Sequence, residues 1–225
     1  MKTPLALLAL ALALPAATPR GVLIGHSVQS RKVIAVELGD PASPRKALVV
    51  GCIHGNECAG IAVIRRLHRL GPLPGVDLWL VPDANPDGHA IGWRWNARRV
   101  DLNRNFPWRW RHITGTYASG PRPASEPETR IAMRLILRVR PRVTIWFHQH
   151  LNMVVLTSGN LALQRRFARL AGMRAGRLPR YPGTATGWAN ARLPGTTAFV
   201  VELPAGRLSA RAVVRLARAV RIVVR

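Results

Sequence analysis

Negative charge is scarce in this chain. Ten of its 225 residues are Asp or Glu, against 34 Lys and Arg, and the formal net charge is +24. A surface neutralised by ion pairs is therefore excluded, and a carboxylate inside an apolar segment calls for a chemical reason. Lysine is nearly missing too: every one of those cations except Lys2, Lys32 and Lys46 is arginine. With Ala, Gly and Pro also abundant, this bias resembles high-GC coding, so charge alone is a weak argument for an anionic partner. The apolar stretch Leu5–Leu14 is too short for a transmembrane helix, which takes about 20 residues. No internal repeat or linker divides the chain. No recognisable nucleic-acid module accompanies its charge, so nucleic acid is not an expected partner. Cysteine is limited to Cys52 and Cys58, which excludes a disulfide-dense scaffold. The pair is open to three readings: free thiols, a disulfide, or sulfur ligation of a metal.

At the N-terminus, Met1-Lys2-Thr3-Pro4 precedes the apolar stretch, and Pro15-Ala16-Ala17-Thr18-Pro19 follows it. That is the layout of a secretory signal peptide. The expectation is a signal over residues 1–18 and one folded domain over 19–225, with no added propeptide or membrane domain. The mature protein is expected to be secreted or to reside in the cell envelope, without a stable membrane anchor after cleavage.

Apolar runs at 21–25, 33–37, 47–51, 77–82, 143–148, 153–157 and 197–203 read as strands, and helical patterns occupy 57–70, 126–139, 161–173 and 208–220. Helices between buried strands indicate an α/β fold: a single three-layer domain with a mixed, mostly parallel sheet flanked by helices. The first two strands are expected to form an antiparallel edge hairpin. Ser125 and Glu128 have the spacing of a capping box, with Pro127 in the first turn. The span 83–124 is rich in Gly, Pro, Asn and Asp. A long irregular segment of this kind inside a compact domain is normally functional.

The chemistry gathers at strand ends. His54-Gly55-Asn56-Glu57 follows the run Ala47-Leu48-Val49-Val50-Gly51, and its imidazole and carboxylate, three residues apart, can converge on one point. A catalytic zinc takes three such protein ligands and leaves a fourth position for water. A second apolar strand, Val143-Thr144-Ile145-Trp146-Phe147, runs into His148-Gln149-His150. Either histidine can supply the third ligand, and in an extended chain the two share a face. The strand Ala198-Phe199-Val200-Val201 ends in Glu202. An unpaired carboxylate in such a strand is costly and is best explained as the base that takes a proton from metal-bound water.

These motifs, with Asn85-Pro86-Asp87-Gly88, the segment from Arg94 through Val100-Asp101-Leu102-Asn103-Arg104, and Ser125-Glu126-Pro127-Glu128-Thr129, resemble the zinc metallocarboxypeptidases. The likeness is greatest to small bacterial members that trim cell-wall peptides, the murein peptide amidases among them. The resemblance implies one Zn2+ per chain, held by His54, Glu57 and His148, within a catalytic domain over residues 19–225. It implies that Asp101 orients a ligand histidine and that Asn103 and Arg104 grip the substrate's terminal carboxylate. It implies that Arg94 stabilises the oxyanion and that Glu202 is the general base. Arg99 stands where relatives usually carry glycine, so the turn is built differently or the arginine lines the groove. Tyr181 is the best match for the tyrosine that caps bound substrate. Trp188, near the expected side-chain pocket, reads as core.

The activity so implied is hydrolysis of the amide bond beside a C-terminal residue, in a peptide with a free terminal carboxylate such as a cell-wall stem peptide. Two alternatives stand beside it. One is a zinc deacylase of N-acyl amino acids resembling aspartoacylase and succinylglutamate desuccinylase, which share the His-Gly-Asn-Glu entry. The other is a non-catalytic basic protein that binds an anionic cell-wall polymer.

Overall fold

The computed structural model describes residues 19–225; the expected signal segment 1–18 lies outside them. Seven strands form one sheet: β1 (Arg20–His26), β2 (Lys32–Gly39), β3 (Lys46–Val50), β4 (Asp77–Val81), β5 (Val143–Val155), β6 (Arg174–Gly176) and β7 (Thr197–Pro204). Six α-helices accompany them: α1 (Gly60–Arg69), α2 (Pro86–Ala90), α3 (Pro127–Val139), α4 (Leu161–Ala171), α5 (Ala185–Arg192) and α6 (Ala210–Val223). The strand order is β1-β2-β4-β3-β5-β6, with β7 paired to β5. β1 and β2 form the expected antiparallel edge hairpin, and β3 lies parallel to both β4 and β5.

Alternation along β3 shows why helices cover both faces. Ala47 and Val49 enter one apolar cluster, while Leu48 and Val50 enter another, as the period of two in a strand requires. α1, α4 and α6 close the first cluster with Ile64, Phe167 and Val220. α3 and α5 close the second with Leu135 and Ala189. The expected three-layer α/β domain is therefore present, with a mixed sheet whose centre is parallel.

The two apolar runs at 143–148 and 153–157 form one strand that doubles back. Register with β7 climbs from Val143↔Thr197 to His148↔Glu202, then descends from Met153↔Glu202 to Val155↔Val200. The first half of β5 thus flanks β7 on one side and the second half flanks it on the other. The reversal near Gln149–Leu151 breaks the common face assumed for His148 and His150. His148 is buried and His150 exposed.

Several expectations are revised. The Ser125–Glu128 capping box does not form: Glu126 is the cap residue of α3 and makes no side-chain cap bond. Ser125 Oγ donates to Glu126 Oε1 instead, and the Glu128 carboxylate accepts from the Val28 and Asn96 amides. Both acids are consumed in tying the hairpin and the long irregular segment to α3. Asp87 does the same, accepting from Ser27 Oγ at 2.7 Å, from the Gln29 N–H at 2.9 Å and from Arg31 at 2.7 Å. Helix α1 begins at Gly60 rather than residue 57, because His54–Glu57 forms a turn closed by the Glu57 N–H on the His54 carbonyl at 2.8 Å. Helices α2 and α5 escape the periodicity reading because both are short, and α5 is only weakly amphipathic. Each is marked by a cap, Asn85 accepting from the Gly88 N–H and Thr184 from the Gly187 N–H, the polar-residue signature of a helix start.

Candidate metal centre and substrate cavity

The turn after β3 brings His54 Nδ1 to 3.0 Å from Glu57 Oε2. His148, at the end of the first half of β5, places its Nδ1 3.2 Å from His54 Nδ1 and 3.0 Å from Glu57 Oε2. Gly55 is required here: a Cβ on it would lie 2.1 Å from the Gly88 carbonyl carbon, so only glycine lets the turn press against α2. A disulfide joins Cys52 to Cys58 across the same turn, with their Cα atoms 4.6 Å apart, which settles the cysteine pairing and excludes sulfur ligation by this form of the protein.

The donor set fits zinc. Asp101 Oδ1 lies 2.9 Å from His54 Nε2, and an ionised carboxylate only accepts, so His54 carries its proton on Nε2 and turns the Nδ1 lone pair inward. That lone pair, Glu57 Oε2 and His148 Nδ1 form a triangle of acceptors. Tetrahedral zinc with bonds of about 2.0–2.1 Å sets neighbouring ligands roughly 3.3 Å apart, close to the separations found. His148 Nε2 is buried without a hydrogen-bond partner, so nothing behind that ring competes for its orientation.

The electrostatics keep both carboxylates, Glu57 and Asp101, ionised. Burial alone would push the Glu57 carboxyl up, but the His148 and His54 contacts hold it well below the usual carboxylate range. Burial likewise opposes ionisation of Asp101, and His54, then Arg94 and Arg104, overcome it and leave its pKa well below normal. Burial lowers the His54 imidazole, but Asp101 and then Glu57 outweigh it, and the net shift is upward.

Beside this triangle opens a cavity of about 590 Å³ lined by His54, Glu57, His148, Glu202, Arg94, Asn103, Arg104 and Tyr181, together with residues from α5 and the second half of β5. Every sequence-predicted site residue therefore lines it except Asp101, which backs His54. Glu202 is the register partner of His148 in the adjacent strand. Register partners in neighbouring strands lie about 4.8 Å apart with side chains on one face, and Glu202 Oε2 is buried with no hydrogen-bond partner. Arg94 bridges more than expected: Nη1 donates to Glu57 Oε1 at 2.7 Å, and Nε and Nη2 reach Asp101 Oδ2 at 2.9 Å.

Asn103 Oδ1 accepts the Ala185 N–H at 2.9 Å, which fixes the amide to the start of α5. Burial lowers the pKa of the Arg104 guanidinium despite Asp101 beside it. Its Cζ lies 4.4 Å from the Tyr181 ring centre and 5.0 Å from that of Tyr117. Gly183, at φ 68°, holds the Tyr181 loop against this segment, and a Cβ there would meet the Arg104 carbonyl oxygen at 2.0 Å.

Tyr117 and Gln149 are among the cavity residues that went unnoticed in the sequence. Tyr117 sits over both Arg94 and Arg104 but lies in a single 3-10 turn, Gly115–Tyr117, with no motif around it. Gln149, between the two histidines weighed as ligands, accepts the Ala59 N–H and donates to the Pro204 and Gly206 carbonyls, tying α1, β5 and the end of β7 together at the site. Arg99 does not line the cavity. It holds the left-handed conformation at φ 58° and stacks on Trp93 at 5.5 Å. Trp188 is core, packed against Phe106.

Residues 72–206 match the family profile described as zinc carboxypeptidase. The chain belongs to the zinc carboxypeptidase family. The matched stretch holds Asp101, His148 and Glu202, whereas His54 and Glu57 precede it. Among curated proteins, murein peptide amidase A of Escherichia coli (strain K12) is 34% identical over 127 residues, covering 49% of this chain and 52% of that protein. Carboxypeptidase SOL1 of Arabidopsis thaliana is 34% identical over 100 residues, 37% of this chain and 20% of the relative. The chain thus spans about half the length, or less, of these relatives. Two solved structures share the fold. Murein-tripeptide amidase MpaA from Escherichia coli O157 superposes with a TM-score of 0.76 at 23% identity, over 91% of this chain and 92% of that one. Carboxypeptidase A from Helicoverpa armigera gives 0.79 at 19% identity, over 92% and 68%. Among the described residues, no helix is long and apolar enough to cross a membrane.

Proposed function

We propose that this protein is a zinc-dependent carboxypeptidase or amidase that hydrolyses the amide bond next to a C-terminal residue, with a cell-wall stem peptide as the substrate class. One observation carries the reading: three inward-facing acceptors, His54 Nδ1, Glu57 Oε2 and His148 Nδ1, stand at metal-ligand spacing beside an unpartnered Glu202 carboxylate. Zinc held by His54, Glu57 and His148 would supply Lewis acidity, making a bound water acidic enough to ionise near pH 7. Glu202 accepts the proton of the attacking water and delivers it to the leaving amine. Asp101 holds His54 in the ligating tautomer.

The Asn103 amide, its oxygen already committed to Ala185, turns its N–H2 to the cavity, and Arg104 adds a charge-assisted fork for the terminal carboxylate. Tyr181, stacked on Arg104, closes over that carboxylate. Arg94 faces the scissile carbonyl and stabilises negative charge developing on its oxygen. Cleavage of N-acyl amino acids is the competing chemistry, and the same cavity would serve it.

Measuring zinc content, then following cleavage by mass spectrometry on C-terminal peptides, wall stem peptides and N-acyl amino acids, tests the proposal. About one zinc per chain with cleavage of peptides supports it. Cleavage of N-acyl amino acids alone replaces it with deacylation. A metal-free protein that cleaves nothing and retains tight binding to an anionic wall polymer would make it a binding protein. Residues 1–18 act in this proposal as an export signal that delivers the domain to the envelope or medium. Mass analysis of the exported chain checks this, and a chain that retains residues 1–18 overturns it.

A further inference from the structure

The ten carboxylates are distributed unevenly. After Glu128 the sequence contains one, Glu202, and it lies in the active-site cavity. None occurs in α1, α4 or α6, the three helices that together cover one face of the sheet. Central α6 packs against both α1 and α4. It carries Arg211, Arg215 and Arg218 on its exposed side, in steps of four and three residues that align on one stripe of a helix with about 5–6 Å between neighbours. Arg65 and Arg69 of α1 and Arg165 and Arg169 of α4 are exposed beside it. Among the described residues, none of these arginines pairs with a carboxylate, and none lines the cavity. Arg221 is different, its guanidinium donating to the Gly71 and Pro72 carbonyls.

Coding bias accounts for the number of arginines; what sets this face apart is that three adjacent helices present them side by side with no carboxylate among them. We propose that the α1/α4/α6 face is a docking surface for a linear envelope polymer bearing repeated phosphate charges. Guanidinium groups pair with phosphate through two parallel hydrogen bonds, and a row along α6 flanked by two shorter rows presents them to a chain rather than to a single anion. A bilayer is a poorer fit. Interfacial helices insert bulky apolar and aromatic side chains, and among the described residues of this face only Leu70 and Val214 are exposed large hydrophobics. Duplex nucleic acid would require an element that enters a groove, whereas this face consists of helices lying flat on a sheet. The polymer would hold the enzyme at the wall and leave the cavity open.

The test uses the full described chain and long-chain inorganic polyphosphate as probe, with affinity measured across a salt series. Replacing Arg211, Arg215 and Arg218 together by Gln is expected to weaken binding at least ~10-fold at low salt and to reduce the slope of log K against log salt by about 2, near 0.7 per lost contact. A control removes equal charge elsewhere, through Gln at exposed Arg122, Arg134 and Arg142; it is expected to lose less than ~3-fold. Hydrolysis of a short peptide should be unchanged in both, so a failure of docking and a failure of the catalytic reading are separately visible. Equal losses in both triple variants, no loss in the first, or tighter binding to duplex DNA or anionic vesicles than to polyphosphate would overturn the proposal.

Discussion

The two faces of the sheet use charge in opposite ways. On the side of α3 and the long segment 83–124, irregular backbone is buried, and carboxylates hold it. Asp87, Asp101, Glu126 and Glu128 are all at most 2% exposed, and each accepts hydrogen bonds from a separate stretch of chain. On the side of α1, α4 and α6, regular helices satisfy their own backbone, apolar side chains make the contacts, and arginines remain in solvent. Irregular structure needs outside partners for its N–H groups; a helix packed by Leu, Val and Phe does not. In a chain with ten acids, these four stand where backbone order and chemistry require them.

This contrast can be broken experimentally, beginning at the metal corner. His148→Ala should reduce bound zinc from about one per chain to near none and take peptide hydrolysis to background, because two ligands seldom retain a catalytic zinc; full zinc occupancy by mass spectrometry would remove His148 from the site. Glu202→Gln should keep the zinc and lower kcat by roughly 10²–10⁴-fold, and turnover at the wild-type rate would exclude it as the base. Asp101→Asn should weaken zinc binding about 10–100-fold, the usual consequence of losing the partner behind a ligand histidine, as a competition titration against a chelator would detect.

Smaller effects test the scaffold. Glu128→Ala leaves the Val28 N–H without its acceptor and removes one of the two that the Asn96 amide has, Glu126 being the other, and should cost about 1–3 kcal/mol, read as a lowered urea midpoint. Arg165→Gln, on the opposite face, should change stability by less than about 0.5 kcal/mol. If these two variants were equally destabilised, the contrast between the faces would have no energetic content.

Much of the site was legible because its residues stand at the ends of apolar strands, where a polar side chain is conspicuous. His54, His148 and Glu202 follow runs of buried aliphatic residues, and strand register alone makes His148 and Glu202 neighbours. Arg94, Asn103 and Arg104 were legible only through the resemblance, since nothing in the spacing of an irregular segment tells which arginine faces a cavity. Tyr117 was not legible at all. His148 was preferred to His150 only through the resemblance, because the reading of an extended chain put both on one face, an assumption the reversal of β5 overturns.

The sequence by itself determined the alternation of strands and helices, the two-sided burial of the sheet and the residue types at the strand ends, because these follow from hydrophobic period and local chemistry. Only the tertiary structure decided which acids are structural. Glu128, with the spacing of a helix cap, reaches instead across 100 positions to Val28, and Arg94 clasps Glu57 and Asp101 from 37 and seven positions away. A buried charge takes whichever partner best offsets its lost hydration, and that partner is set by packing in space, which sequence distance does not encode.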